Sequence, residues 1–304
     1  MGQLIQINFS EATQRDRDRV RAQGQRVRRT MLNLSDDQVK VVLKQMRDTF
    51  AEIQETLTGA RGFQAEFLQA AKLRMLSAID AFETRWVTSL QNRQRESFET
   101  GARSVLDSLA KAADPVRLPL VGVDPATLII STRRSLDRIK GITDGMREAI
   151  RTQINLGISA ARTTQQVMAG IRGVLEPKAV IVEKAGIMVK ERIGATARAV
   201  MITRTEMGQT FALGAQARVE QLVERQSDLA DAGIVATKRW LSTIDALTRR
   251  AHVIANGQRV GIDEKFTVGG EEMEHPLDPK ASGKNIINCR CVHVVEAVFL
   301  ENAA

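Results

Sequence analysis

Three observations predict a mainly α chain, with long N-terminal helices, a helical middle and a small C-terminal α+β module. Apolar residues recur at three- and four-residue steps from Val39 to Leu57, and again from Phe67 to Leu109. Aromatic residues make up only 4% of the 304, with no Tyr, so the core must be built from Leu, Ile, Val, Met and Ala, a composition that suits packed helices. After Gly233 the chain changes to short β-branched and aromatic runs separated by turn residues.

The elements follow in order. Residues 10–30, SEATQRDRDRVRAQGQRVRRT, carry mixed charges and few apolar anchors, so 1–34 reads as an exposed basic arm. Ser35 and Gln38 stand at capping-box spacing and predict a helix start. The stripe Val39, Val42, Leu43, Met46, Phe50, Ile53, Leu57 then runs to a stop near Gly59. A second helix is expected over about 63–113, with Gly101 as a break. The segment DPVRLPLVGVDP, 114–125, has three of the six prolines, so it separates a helical region 35–120 from a helical region 121–232. Within the latter, helices are expected after Pro125, from Thr163 or Thr164, and over about 195–228. The module 233–304 has ATKRWLSTID, EKFTVGG and NIINCRCVHVV as strand candidates, and an Asn-Gly turn in ANGQRV.

Charge and hydropathy narrow the function classes. The net charge of +8 and a pI near 9.9 suit a polyanionic partner such as double-stranded DNA, contacted at its phosphates, or simply an arginine-rich soluble surface. Arg15, Arg17, Arg19, Arg21, Arg26, Arg28 and Arg29 are the first cluster for such a contact, diluted by Asp16 and Asp18. No segment reads as a signal peptide or a membrane span, and Gln6 breaks the myristoylation pattern, so no membrane partner and a reducing compartment are expected. Phosphate loops of the Walker or dinucleotide type are absent.

Both cysteines lie in NIINCRCVHVV. A disulfide between Cys289 and Cys291 is disfavoured, because residues two apart on a strand are roughly 6.5–7 Å apart at Cα. On a strand starting near Ile287, Cys289, Cys291 and His293 would share one face. Asp245 and His252, two helical turns apart if 245–254 is helical, and His275 are the upstream partners. Asp245, His252, Cys289 and Cys291 therefore make a mixed oxygen, nitrogen and sulfur set for a structural zinc; buried thiols packed as apolar filler, and a Cys–His nucleophile, are the competing readings. In MITRTEMGQ, Arg204 and Glu206 fall within an apolar helix. ADP-ribosyltransferases also use arginine and glutamate, but on strands and with a Ser-Thr-Ser element that is missing here. These two residues are thus expected to make polar contacts where the helix meets the C-terminal module.

Taken together, RTEMGQTFALGAQARVE, KRWLSTIDALTRRAH, NGQRVGIDEKF and INCRC resemble the phage head morphogenesis family of minor capsid proteins, typified by the F protein of phage Mu and the gp7 protein of phage SPP1. Trp240, Asp245, His252, Gly257, Phe266, Pro276 and NCRC carry the likeness, which covers about 150–295. Ala246 and Leu247 depart from a run that is more charged in the family. The resemblance implies a non-enzymatic virion protein of the capsid interior or portal vertex, made in the host cytoplasm. Its partners would be portal protein, capsid or scaffolding protein, and DNA during packaging or ejection. No appended toxin domain of the kind some relatives carry is expected. A metal- or thiol-dependent nuclease or peptidase of head maturation is the alternative.

Overall fold

The computed structural model describes residues 14–58, 64–110, 126–176, 181–184, 187–190, 194–231 and 233–299. Its elements in chain order are α1 (Gln14–Thr58), α2 (Ala65–Ala110), α3 (Ala126–Ser159), α4 (Thr164–Leu175), β1 (Ile181–Lys184), β2 (Ile187–Lys190), α5 (Ala195–Glu224), α6 (Gln226–Asp231), β3 (Ile234–Leu241), α7 (Arg250–Ala255), β4 (Arg259–Gly261), β5 (Phe266–Val268), β6 (Glu271–Met273), α8 (Gly283–Ile286) and β7 (Val292–Phe299). The fold is mainly α with a small C-terminal strand module. The expected boundary at 114–125 lies outside the described residues.

Two compact units are interleaved in sequence: one comprises 1–33, 97–124 and 211–304, the other 34–96 and 125–210. The second unit is helical apart from the hairpin β1–β2. Its core is the predicted stripe of α1 (Val42, Met46, Ile53) packed with Met75, Phe82 and Trp86 of α2 and Ile139, Ile150 and Ile154 of α3. Helix α4 starts at one of the two places expected for it, and Thr163 caps it with Gln166 in a reciprocal capping box.

Helix α1 does not start at Ser35. It is already helical at Gln14, and Ser35 and Gln38 are buried in mid-helix, where the Gln38 amide donates to Ser89 Oγ at 3.0 Å. The arm reads as polar because its buried face is made of Gly24, Val27 and Met31, too sparse for a stripe. Gly101 is likewise no break. A Cβ there would lie 2.0 Å from the Phe211 carbonyl oxygen, and one on Gly214 would lie 1.9 Å from the Phe98 carbonyl oxygen, so the two glycines let α2 and α5 cross backbone to backbone.

In the first unit a three-stranded antiparallel sheet is ordered β4–β3–β7, with Leu241 opposite Val292 and Trp240 opposite His293. Val219 and Leu222 of α5 pack under it against Ile234, Ile262 and Val295. The hairpin β5–β6 turns through Gly269 and Gly270, both at positive φ as a two-residue type I′ turn requires.

Candidate metal centre

The strand β7 begins at Val292, later than expected, so Cys289 and Cys291 sit in the turn before it and not on a strand face. Asn288, at φ 54°, bends the chain after α8, and the Cys289 N–H donates to Ile286 O at 3.1 Å. Both thiols thereby point inward toward His252 on α7, whose Nδ1 lies 3.2 Å from Cys291 Sγ and 3.5 Å from Cys289 Sγ. All three side chains are buried, and their donor atoms lie within 4.8 Å of one another. Among the described residues this is the group suited to hold a metal ion.

Ser242, which carries no signal of its own in the sequence, organises this cluster. Its Oγ accepts from Trp240 Nε1 at 3.0 Å and faces Cys291 Sγ at 3.5 Å, while donating to the His252 carbonyl at 2.5 Å. The indole of Trp240 packs edge-on against His252 and Phe266, with centroids 5.8 and 5.4 Å apart. Gly257, at φ 85°, closes the turn after α7 by donating its N–H to Trp240 O at 2.8 Å. The two thiols are linked electrostatically. A hydrogen bond from Cys289 pushes the Cys291 thiol down, helped by His252 and Ser242 against the effect of burial, and the same pairing pushes Cys289 well up.

Asp245 does not join the cluster. Its carboxylate accepts two hydrogen bonds from Arg290, at 2.6 and 2.7 Å, which together with Thr248 and the Leu247 N–H hold it at about 2. Helix α7 begins only at Arg250, so the expected two-turn spacing from Asp245 to His252 never forms. His275 and His293 are also elsewhere, tilted against one another at 6.4 Å. A carbonyl can only accept, so His275 carries its proton on Nδ1, donated to Pro276 O at 2.8 Å.

The other sequence candidates separate as well. Of the seven arginines, Arg28 is half-buried and donates to Leu241 O and Ser242 O at 3.2 and 2.9 Å, so it fastens α1 to the end of β3. Burial lowers its pKa. The remaining six are exposed. Arg204 pairs with Asp36 on α1 at 3.3 Å, and Glu206, fully buried, accepts from Ser135 Oγ at 2.7 Å and from Arg138 on α3, so neither reaches the C-terminal module. Gln94 Nε2 extends this polar layer to Ser135 at 2.8 Å and Thr210 at 3.2 Å.

Nδ1–S separations of 3.2 and 3.5 Å suit one ion, because tetrahedral zinc with Zn–N and Zn–S bonds near 2.0–2.1 and 2.3 Å spaces its ligands about 3.6 Å apart. The cavity over the cluster, bordered by Asn288 and Arg249, is about 10 Å³. That volume holds one water or ion and no organic substrate.

No described protein family matches the chain, and no solved structure is significantly similar to it. A stretch of 106 residues is 35% identical to the NAD(+)–arginine ADP-ribosyltransferase EFV of Enterococcus faecalis (strain ATCC 700802 / V583). This similarity takes in 34% of the chain and only 20% of the length of that enzyme.

Proposed function

We propose that this chain is a structural minor protein of a phage head, acting at the portal vertex in procapsid assembly and in DNA packaging or ejection, without catalytic turnover of its own. The observation that carries this reading is the convergence of Trp240, His252, Gly257, Phe266, Cys289 and Cys291, six of the residues that carry the family resemblance, on one knot. Residues held together in this way specify a fold. An active site would need them around a cleft, and the cavity beside them has room for about one water or ion. No described helix is long and apolar enough to cross a membrane.

Zinc belongs to the same reading. His252 Nδ1 and the two thiolates would hold it, and it would supply a cross-link between α7 and the turn before β7 in a module with a small core. The test is elemental analysis of the wild type beside Cys289→Ser/Cys291→Ser, together with co-sedimentation of the chain with portal and capsid proteins of the same phage. About one zinc per chain, lost in the double variant, and co-sedimentation with portal are the expected results. Absence of portal association in both assembled and free forms would overturn the head role.

A second reading, a metal- or thiol-dependent nuclease or peptidase, is favoured by one observation: three protein donors leave a coordination position to water, as catalytic zinc sites do. ADP-ribosyl transfer to arginine enters as a third, since a relative with that name shares a third of the chain. Plasmid and casein cleavage, and transfer from labelled NAD to an arginine substrate, are expected to remain at background. Activity abolished by His252→Ala in a folded protein would replace the structural reading.

A further inference from the structure

We infer that a cleft between the first turns of α1 and the last turns of α2 binds the phosphodiester backbone of nucleic acid, with Arg26, Arg29 and Arg103 as its charged ligands. The inference deepens the proposed DNA-proximal role and rests on it. Both cleft walls belong to the same compact unit. The cleft has a volume of about 250 Å³, enough for a phosphate and its flanking sugar, and Thr30, Ser104 and Gln23 also line it.

Three features mark it as an anion site. The first is charge without local neutralisation: Arg26, Arg29 and Arg103 form no ion pair among the described residues, whereas Arg147, Arg239 and Arg290 are each neutralised by carboxylates. One carboxylate, Asp107, also borders the cleft, so the balance there is three positive groups to one negative. The second is an unsatisfied donor. Gln23 borders the cleft and its Nε2 has no hydrogen-bond partner, so a rotation of this side chain toward a bound phosphate would satisfy a donor that is otherwise unpaired.

The third is direction. At 100° per residue, Arg15, Arg19, Arg26 and Arg29 fall within an arc of about 80° on α1, and at 1.5 Å per residue they extend over about 21 Å. A single inorganic phosphate would need only the cleft. A basic stripe of this length continuing from it matches a polymer of phosphates, about six steps of one strand at 3.4 Å each. Arg17, Arg21 and Arg28 lie on a different face, and Arg28 is already engaged at the end of β3.

The experiment is fluorescence anisotropy of duplex DNA with the full chain between about 50 and 200 mM salt, where phosphate contacts dominate. It compares the wild type with Arg26→Ala/Arg29→Ala/Arg103→Ala and with Arg17→Ala/Arg21→Ala, each checked for an unchanged melting temperature. Neutralising three phosphate contacts is expected to make the slope of log K against log salt shallower by about 2.7, so that affinity falls about 40-fold less over that range. The control is expected to change the slope by less than one unit. Equal losses per charge in both variants would overturn the cleft while leaving the DNA role intact. No wild-type binding at about 50 mM would overturn both, with portal co-sedimentation then deciding whether the head role survives. Calorimetric titration with inorganic phosphate separates the sources: binding of free phosphate at the cleft without DNA binding would overturn the nucleic-acid assignment.

Discussion

Arg290 grips Asp245 with both ends of its guanidinium, at 2.6 and 2.7 Å, from a position between the two cysteines. This pair explains why a carboxylate close in sequence to His252 is not a fourth ligand. Asp245→Asn is therefore expected to leave zinc stoichiometry unchanged in elemental analysis. It should lower the melting temperature of the chain by no more than about 2–4 °C, because the pair is solvent-screened.

The tryptophan in the knot supplies a local reporter. Trp240 touches His252 edge-on, and the other tryptophan, Trp86, is buried among the helices of the other unit. In a Trp86→Phe background, a strong chelator is expected to change Trp240 fluorescence and to lower the melting temperature. Cys289→Ser should respond to chelator little or not at all. A chelator-insensitive spectrum in the wild type would count against the metal.

The crossing of α2 and α5 is more demanding. Gly101→Ala and Gly214→Ala each place a Cβ within about 2 Å of a backbone carbonyl oxygen, and neither backbone can give way as a flexible side chain would. Each substitution is expected to cost about 3 kcal/mol or more, at the upper end for overpacked sites, and to appear as a lower urea midpoint.

Glu206 gives the helical unit an unusual pH response. Burial raises its pKa, only partly opposed by Ser135 and Arg138. A raised carboxyl pKa means that the folded chain takes up this proton before the unfolded chain does. Its contribution to stability therefore grows as pH falls through the folded pKa and levels off below about 4.5. Urea titrations between pH 7 and about 4.5 should show this gain in the wild type and its loss in Glu206→Gln. Glu206→Ala should cost about 1–3 kcal/mol by removing the carboxylate that Ser135 and Arg138 share in the helical interior.

His275 acts in the opposite direction. Burial lowers its pKa, with Pro276 O, Asp278 and Glu274 working against burial and Lys238 reinforcing it. A lowered histidine pKa means the unfolded chain binds the proton first, so stability drops as pH falls below about 6.5 and stops dropping below the folded pKa. Proton–carbon NMR of the imidazoles is expected to show His275 titrating below the ordinary histidine range, with its neutral form the Nδ1 tautomer.

The helical stripes of α1 and α2, the start of α4 and the turn at Gly257 were legible because each rests on local spacing or on a residue with a special backbone preference. So were His252, Cys289 and Cys291 as a group. The start of α1 was hidden because its buried face there is Gly24, Val27 and Met31, with too few apolar residues to form a stripe. Ser242 was hidden because its role depends on three partners brought in by tertiary structure. Asp245 was misassigned for the same reason: residue type suggested a ligand, while its actual partner was the residue between the two cysteines. Arg204 and Glu206 were expected at the C-terminal module, since sequence gives no means of choosing among the helices that a long amphipathic element touches.

The pairing of β3 with β7 also dictates when the module can be completed. Leu241 and Val292 are opposite one another in the sheet but some fifty residues apart in the chain. At synthesis rates of about 5–20 residues per second, β3 waits roughly 3–10 s for its partner, and the thiols that bind the knot arrive only just before it. During that interval Ile234–Leu241 lacks its β7 partner along one edge. Closure of this module thus waits on the synthesis of β7, and any ribosome-bound factor that shields an open strand would act on β3.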